Sequence, residues 1–178
     1  NKKSVGNLVK LASSILILGA ILIATACFFY SQELIGARYI NSTTQSGQVF
    51  AILMICFVFI STTYIFGTLL TASGNLKRLN QIAFAGVILN IVLNLILIPT
   101  YKAYGAALAS LITQAITAIA QVWLSKSYFK LNLDVSLLIR GIIFTGLIVS
   151  FGFLLQQSLF DYLSWYSALI LLILTGGV

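Results

Sequence analysis

The 178-residue sequence lacks histidine and is poor in charge, proline and cysteine. Without histidine the chain has neither the commonest proton shuttle at neutral pH nor the commonest metal ligand. Charged residues make up only 7% of the sequence, against about 25% in ordinary soluble domains. The two cysteines, Cys27 and Cys56, stand in apolar stretches, which favours small core residues over a disulfide or a metal ligand. We therefore expect no metal site and no disulfide scaffold.

Apolar residues make up most of the chain. They account for 60% of it, and the mean hydropathy is +1.08. A folded chain of this length leaves roughly a third of its surface in contact with solvent, so this composition predicts that the solvent is lipid. The formal net charge of +7 would suggest a nucleic-acid partner for a soluble protein. Here we expect membrane lipids as partners and no nucleic acid.

Six apolar runs predict an all-α, polytopic membrane protein that forms a single transmembrane domain over residues 1–178. A spanning helix needs about 20 apolar residues, and continuous apolar runs favour helices over a barrel, whose strands alternate. Pro99, the only proline, should end the third helix, and the short link 100–102 then forces an antiparallel hairpin. The polar stretch 32–47 is expected to be the one long extracytoplasmic loop. The predicted helices cover residues 8–30, 48–72, 79–98, 103–125, 135–156 and 162–178.

The positive charges divide unevenly between the two sides of this topology. Two of the ten cations, Arg38 and Lys102, fall on the side opposite the N-terminus. The positive-inside rule therefore predicts a cytoplasmic N-terminus. The eight cations on the N-terminal side are Lys2, Lys3, Lys10, Lys77, Arg78, Lys126, Lys130 and Arg140.

Polar residues recur along one face of the predicted third and fourth helices. In the fourth helix the spacing of 4, 3, 4, 3, 4 places them on one face, with an apolar face opposite. They either pack helices closely and form interhelical hydrogen bonds or line a polar substrate pathway. The inward row comprises Ala103, Ala107, Ser110, Gln114, Thr117 and Gln121, and the outward row Leu108, Ile112, Ile116, Ile119 and Trp123. In the third helix the inward row is Ala83, Gly86, Asn90 and Asn94.

Three cations are further site candidates. Arg140, near the start of the fifth helix, either anchors the helix at the interface or contacts an anion in a cytoplasmic cavity. Arg38 and Lys102 are either solvated loop charges or contacts for an anionic group on the extracytoplasmic side. All three carboxylates lie at helix ends, and the sequence contains no catalytic triad, paired acid or phosphate-binding loop. We expect neither enzymatic activity nor a cofactor.

Residues 64–111 carry the most specific pattern. The segment YIFGTLLTASGNLK at 64–77 is followed by NIVLNLILIP at 90–99 and YGAALA at 104–109. This order resembles the C-terminal half of polysaccharide biosynthesis flippases, which translocate O-antigen and capsule repeat units. Their superfamily also contains multidrug and toxin extrusion transporters and the lipid II flippase. One departure is that such proteins often carry glycine shortly after the proline, where Lys102 stands here.

The resemblance implies a C-terminal lobe of a 12–14-helix transporter in the bacterial cytoplasmic membrane. Since the chain opens at Asn1 and ends within an apolar run, we expect a piece of a longer protein whose N-terminal lobe is a partner; a secretory signal at 2–27 is the alternative for its start. The implied substrate is an oligosaccharide on undecaprenyl diphosphate, moved by alternating access. The alternatives are a cation-coupled multidrug exporter, a membrane-embedded polysaccharide polymerase or acyltransferase, and a structural subunit.

Overall fold

The computed structural model describes residues 2–39, 43–129, 143–144, 146–147 and 150, and side chains from residue 11 onward. Within this part of the chain the secondary structure is helical, without strands. Four helices follow in order: α1 (Lys2–Phe29), α2 (Ser31–Arg38), α3 (Thr44–Ala72) and α4 (Leu76–Phe129). The predicted helix 162–178 and residue Arg140 lie outside the described residues. The described positions of the predicted helix 135–156 are helical.

Three helical segments are long and apolar enough to cross a membrane. They are Leu11–Phe29 within α1, α3, and α4, with hydropathies of 2.4, 2.5 and 2.4. The all-helical architecture expected from the apolar runs is thus confirmed for the described residues. The prediction of one long loop at 32–47 is wrong, because α2 occupies Ser31–Arg38 and α3 already begins at Thr44. At that start, Thr43 caps the helix by accepting a hydrogen bond from the Ser46 amide at 3.3 Å.

Helix α3 is the central element and contacts α1, α2 and α4. It ends in a Schellman turn: the Asn75 amide donates to the Leu70 carbonyl, and the Gly74 amide donates to the Thr71 carbonyl. Gly74 has a φ of +79°, which glycine adopts without steric cost. Ser73, Gly74 and Asn75 of the sequence pattern therefore form the turn at which the chain reverses between α3 and α4.

Helix α4 is bent into a hairpin at Lys102. Its φ of 51° and ψ of −128° are not helical, and they divide α4 into a first arm, 76–101, and a second arm, 103–129. Pro99 lies inside the helix, so the prediction that proline ends the third helix is wrong by three residues. The arms are 26 and 27 residues long, or about 40 Å each at 1.5 Å per residue. The two arms therefore have the length of two separate crossings.

Three pairs of neighbours establish that the arms run antiparallel. Asn90 hydrogen-bonds Thr113. A Cβ built on Gly86 would lie 3.0 Å from the Thr117 hydroxyl, and one built on Gly105 would meet the Leu97 carbonyl group. In each pair the sequence positions move apart as the distance from Lys102 grows. The predicted hairpin is confirmed, and glycines lie at two of these three contacts.

The core between the helices consists largely of small residues, which allow backbones to approach closely. The outward row of the second arm is exposed as predicted at Ile112, Ile116, Ile119 and Trp123, the last 73% exposed, whereas Leu108 is half-buried. The buried apolar residues of α1 are Ala20, Leu22, Ala24 and Ala26; those of α3 are Ala51, Ile52, Cys56, Ile65, Phe66 and Leu70; those of α4 are Ala107, Ala109, Ala118 and Leu124.

Candidate functional site

The two asparagines of the first arm belong to one hydrogen-bonded network. The Asn94 amide nitrogen donates to the Asn90 side-chain oxygen at 2.8 Å and to the Asn90 carbonyl at 2.9 Å. The Asn90 amide nitrogen in turn donates to the Thr113 hydroxyl at 3.3 Å across the hairpin. An amide without partners costs several kcal/mol in hydrocarbon, and this network supplies them. The arrangement favours the packing interpretation of Asn90 and Asn94.

Only some residues of the polar row predicted for the second arm face inward. Gln121 is only 6% exposed, and Ala107 is buried. Gln114, Thr117 and Ser110 are half-buried. Ala103 is exposed at the turn, and Ala83 is exposed on the first arm, so the prediction that both face inward is wrong.

One row of buried residues on the second arm follows a different periodicity from the predicted one. Its members recur every four residues, which is the i±4 ridge along which helices commonly pack, inclined to the helix axis. The prediction used the mean period of 3.6, and it therefore missed Thr113 and Ser125, which are both buried polar residues. A search for small and polar residues at a spacing of four would have found them. The row comprises Gly105, Ala109, Thr113, Gln121 and Ser125, all buried, and the half-buried Thr117.

Two members of this row have buried oxygens without a hydrogen-bond partner. They are the side-chain carbonyl of Gln121 and the hydroxyl of Ser125, which is 0% exposed. The residues lie four apart, one turn along the same helix face. The Gln121 oxygen faces α3, since a Cβ built on Gly67 would lie 3.3 Å from it. Within the described residues, the interface between α3 and the second arm therefore contains a buried oxygen without a hydrogen-bond donor, whereas the contact between the two arms does not.

A second polar group lies at the opposite end of α3, around α2. The Gln32 amide nitrogen donates to the Thr44 carbonyl at 2.9 Å and links α2 to the start of α3. The hydroxyl of Tyr30, which is buried, and one carboxylate oxygen of Glu33 are both buried without a partner. Burial and, secondarily, the charge of Glu33 raise the pKa of Tyr30 above its usual range. Glu33 lies at a helix end as predicted, but its carboxylate is partly withdrawn from solvent.

The two extracytoplasmic cation candidates differ in their surroundings. Arg38 is exposed at the end of α2, with its guanidinium 5.9 Å from the ring centroid of Tyr39. Lys102 lines a cavity at the hairpin turn, together with residues from the start of α3. Arg38 and Lys102 therefore lie at the same end of α3. Lys77 and Arg78 follow the opposite end of α3, in agreement with the predicted division of the cations between two sides.

The described residues contain no group of three or more histidine, cysteine or acidic side chains that would hold a metal ion. Cys27 and Cys56 are both free thiols; Cys56 is buried and Cys27 half-buried. Comparison of the chain with protein-family models, curated proteins and solved structures gives no match.

Proposed function

We propose that the chain is the C-terminal lobe of a transporter that flips undecaprenyl-diphosphate-linked oligosaccharides across the bacterial cytoplasmic membrane by alternating access. In this proposal the N-terminus is cytoplasmic, six helices span the membrane, and an N-terminal lobe completes the substrate cavity. The membrane-length apolar helices and the order of the motifs at 64–109 support it. Gln114, Thr117, Gln121 and Arg140 are the substrate-pathway residues of this proposal, whereas Asn90 and Asn94 hold the two arms of the hairpin together.

The observation that carries the proposal is the unsatisfied carbonyl of Gln121. A buried acceptor without a donor costs about 1–3 kcal/mol, and this one lies in an apolar, membrane-length helix beside Gly67. A sugar hydroxyl is a suitable donor for it. Because Gly67 has no side chain, a small separation of α3 from the second arm opens space for such a hydroxyl. Ser125 provides a second oxygen one turn further along the same face.

The experiment measures translocation of a fluorescent undecaprenyl-diphosphate oligosaccharide in vesicles that contain the complete protein. We expect Gln121→Leu to lower the rate about three- to tenfold, the value of one neutral hydrogen bond, at equal protein level. Gln81→Leu is the matched control, because Gln81 is an exposed amide on the first arm. Equal rates for Gln121→Leu and the wild type would contradict the proposal. A parallel loss of protein and activity would assign Gln121 to packing.

One observation favours a second candidate, a cation-coupled exporter of the same superfamily. Glu33 has a buried, unpartnered carboxylate oxygen close to the buried hydroxyl of Tyr30. A carboxylate shielded in this way is a typical binding group for a coupling proton or cation. Glu33→Gln keeps the shape and removes the charge, so it should abolish ion-dependent dye efflux, whereas Asp134→Asn, an acid-to-amide control, should not. Efflux that needs no ion gradient would exclude this candidate.

A further inference from the structure

The turn of the hairpin forms one wall of an open cavity that the transport proposal does not use, and its lining side chains are exposed except for the half-buried Tyr104. The cavity has a volume of about 350 Å³ and opens where α3 begins and α4 reverses direction. We call it the hairpin pocket. Its lining residues are Gln45, Gln48, Thr100, Tyr101, Lys102 and Tyr104. Together they provide two amides, three hydroxyls and one ammonium group.

Charge in the hairpin pocket has a single sign. Lys102 is the one ionised lining residue at neutral pH, and no carboxylate is among the residues that line the pocket. Glu33 is the single acid whose side chain the structure describes, and it lies on α2. The ammonium of Lys102 therefore has no countercharge in the pocket, and an anion would complete it.

The backbone at Lys102 gives an independent reason to ask what the side chain contributes. Its φ of 51° with a ψ of −128° belongs to a region that glycine adopts freely and that a residue with a Cβ adopts only under strain. Glycine would therefore suit this turn better than lysine. Strained residues persist where the surroundings hold them, and they cluster at binding sites. The strain at Lys102 points to a use for its ammonium group.

The neutral lining residues restrict the kind of anion. Gln45 and Gln48 offer both donors and acceptors, which suit sugar hydroxyls. The rings of Tyr101 and Tyr104 offer apolar surface with a polar tip. A volume of about 350 Å³ lies at the lower end of ligand pockets, which span about 300–1,000 Å³. The pocket therefore fits one sugar ring with a phosphoryl group better than an oligosaccharide.

We propose that the hairpin pocket binds a phosphate-bearing sugar, with the phosphoryl group at the Lys102 ammonium and the ring hydroxyls at the Gln45 and Gln48 amides. A lipid headgroup and a soluble sugar phosphate share this chemistry. The proposal concerns binding at the turn of α4 and does not depend on translocation. A chain that flips no lipid would still bind the ligand, so the two proposals fail separately.

The test is a saturation-transfer difference NMR titration of the complete protein in phosphatidylcholine nanodiscs with glucose 1-phosphate, glucose or inorganic phosphate. We expect glucose 1-phosphate to bind at least about tenfold more tightly than glucose, the value of a charge-assisted contact. Lys102→Gly suits the backbone and removes the ammonium, so it should abolish this preference. Lys102→Arg keeps the charge and should retain it. Arg38→Gly removes the other cation at this end and should leave binding unchanged.

A second titration in nanodiscs that contain phosphatidylglycerol separates the two sources of the phosphoryl group. At a high salt concentration that screens the repulsion by the anionic surface, weaker binding of glucose 1-phosphate there than in phosphatidylcholine nanodiscs would show that a lipid headgroup occupies the pocket, which supports the proposal with a lipid ligand. Equal binding in both nanodiscs would support a soluble ligand. Equal affinity of the wild type and Lys102→Gly for glucose 1-phosphate would overturn the proposal. Binding of glucose as tight as that of glucose 1-phosphate would overturn it as well.

Discussion

Replacing Gly105 by alanine tests whether the hairpin is as tightly closed as its geometry indicates. Glycine in a helix interior costs about 0.5–1 kcal/mol relative to alanine, so the substitution would ordinarily stabilise the fold. Here the new Cβ would meet the carbonyl group of Leu97 and lie 3.1 Å from the Cβ of Tyr101. The carbonyl is backbone and cannot rotate away, and such overpacking costs about 1–3 kcal/mol. The middle values of these two ranges, about 2 and about 0.75 kcal/mol, differ by about 1.25 kcal/mol, so we expect a net loss of about 1–2 kcal/mol.

The chain carries its own reporter for this measurement. Cys56 is only 3% exposed in the centre of α3, so in a Cys27→Ala background a thiol-reactive fluorescent dye labels it when the fold opens. A loss of one kcal/mol lowers the midpoint of thermal unfolding by about 2–4 °C in a domain of this size. Gly105→Ala should therefore lower this midpoint by about 2–8 °C. Gly19→Ala is the matched control, because a Cβ at Gly19 has nothing within 4 Å, and it should raise the midpoint by about 1–4 °C. Equal shifts for both variants would refute the reasoning.

Three further predictions concern individual side chains. Lys102→Gly should raise the thermal midpoint, because relief of about 1–3 kcal/mol of backbone strain exceeds the about 0.5–1 kcal/mol entropic cost of glycine; an equal gain from Lys102→Ala would contradict strain as the cause. Asn90→Leu and Thr113→Val should couple by about 0.6–1.7 kcal/mol in a double-mutant cycle of unfolding free energies, and strict additivity would exclude their hydrogen bond. Because the pKa of Tyr30 is raised by burial and by Glu33, its contribution to stability should be complete below about pH 10 and be lost as the pH rises through the higher folded-state pKa. Tyr30→Phe should flatten that alkaline decline in the thermal midpoint, and superimposable pH profiles would contradict the burial of this phenol.

Apolar run length and helical period predict much of the fold. The residues of α1, α3 and the two arms of α4 are apolar over more than a membrane thickness, and no competing pattern is present. The short link at 100–102 leaves the two arms no arrangement other than antiparallel. The outward row at Ile112, Ile116 and Ile119 was predictable for the same reason, because apolar side chains without polar neighbours can face lipid at no cost.

The errors arise where a local rule competes with a specific contact. Proline normally ends a helix, but the chain bends at Lys102, and Pro99 remains within the helix. Polar composition suggested a loop at 32–47, but Gln32 uses its side chain to hold α2 against the Thr44 carbonyl. Thr113 and Ser125 are buried on a row that is inclined to the helix axis. A row drawn with the mean helical period passes beside them.

The distribution of unsatisfied polar groups divides the molecule into a part that is closed and a part that is prepared to open. Across the hairpin, Asn90 and Thr113 are bonded to each other, and Gly86 and Gly105 hold the arms in close contact. Separating the arms would break this hydrogen bond and these contacts without forming new ones in their place. Between α3 and the second arm, Gln121 instead gains a partner when the surfaces part, because its carbonyl has none when they are closed. Under the proposed transport function we therefore expect the hairpin to move as one rigid unit and substrate or water to enter at the face of the second arm towards α3.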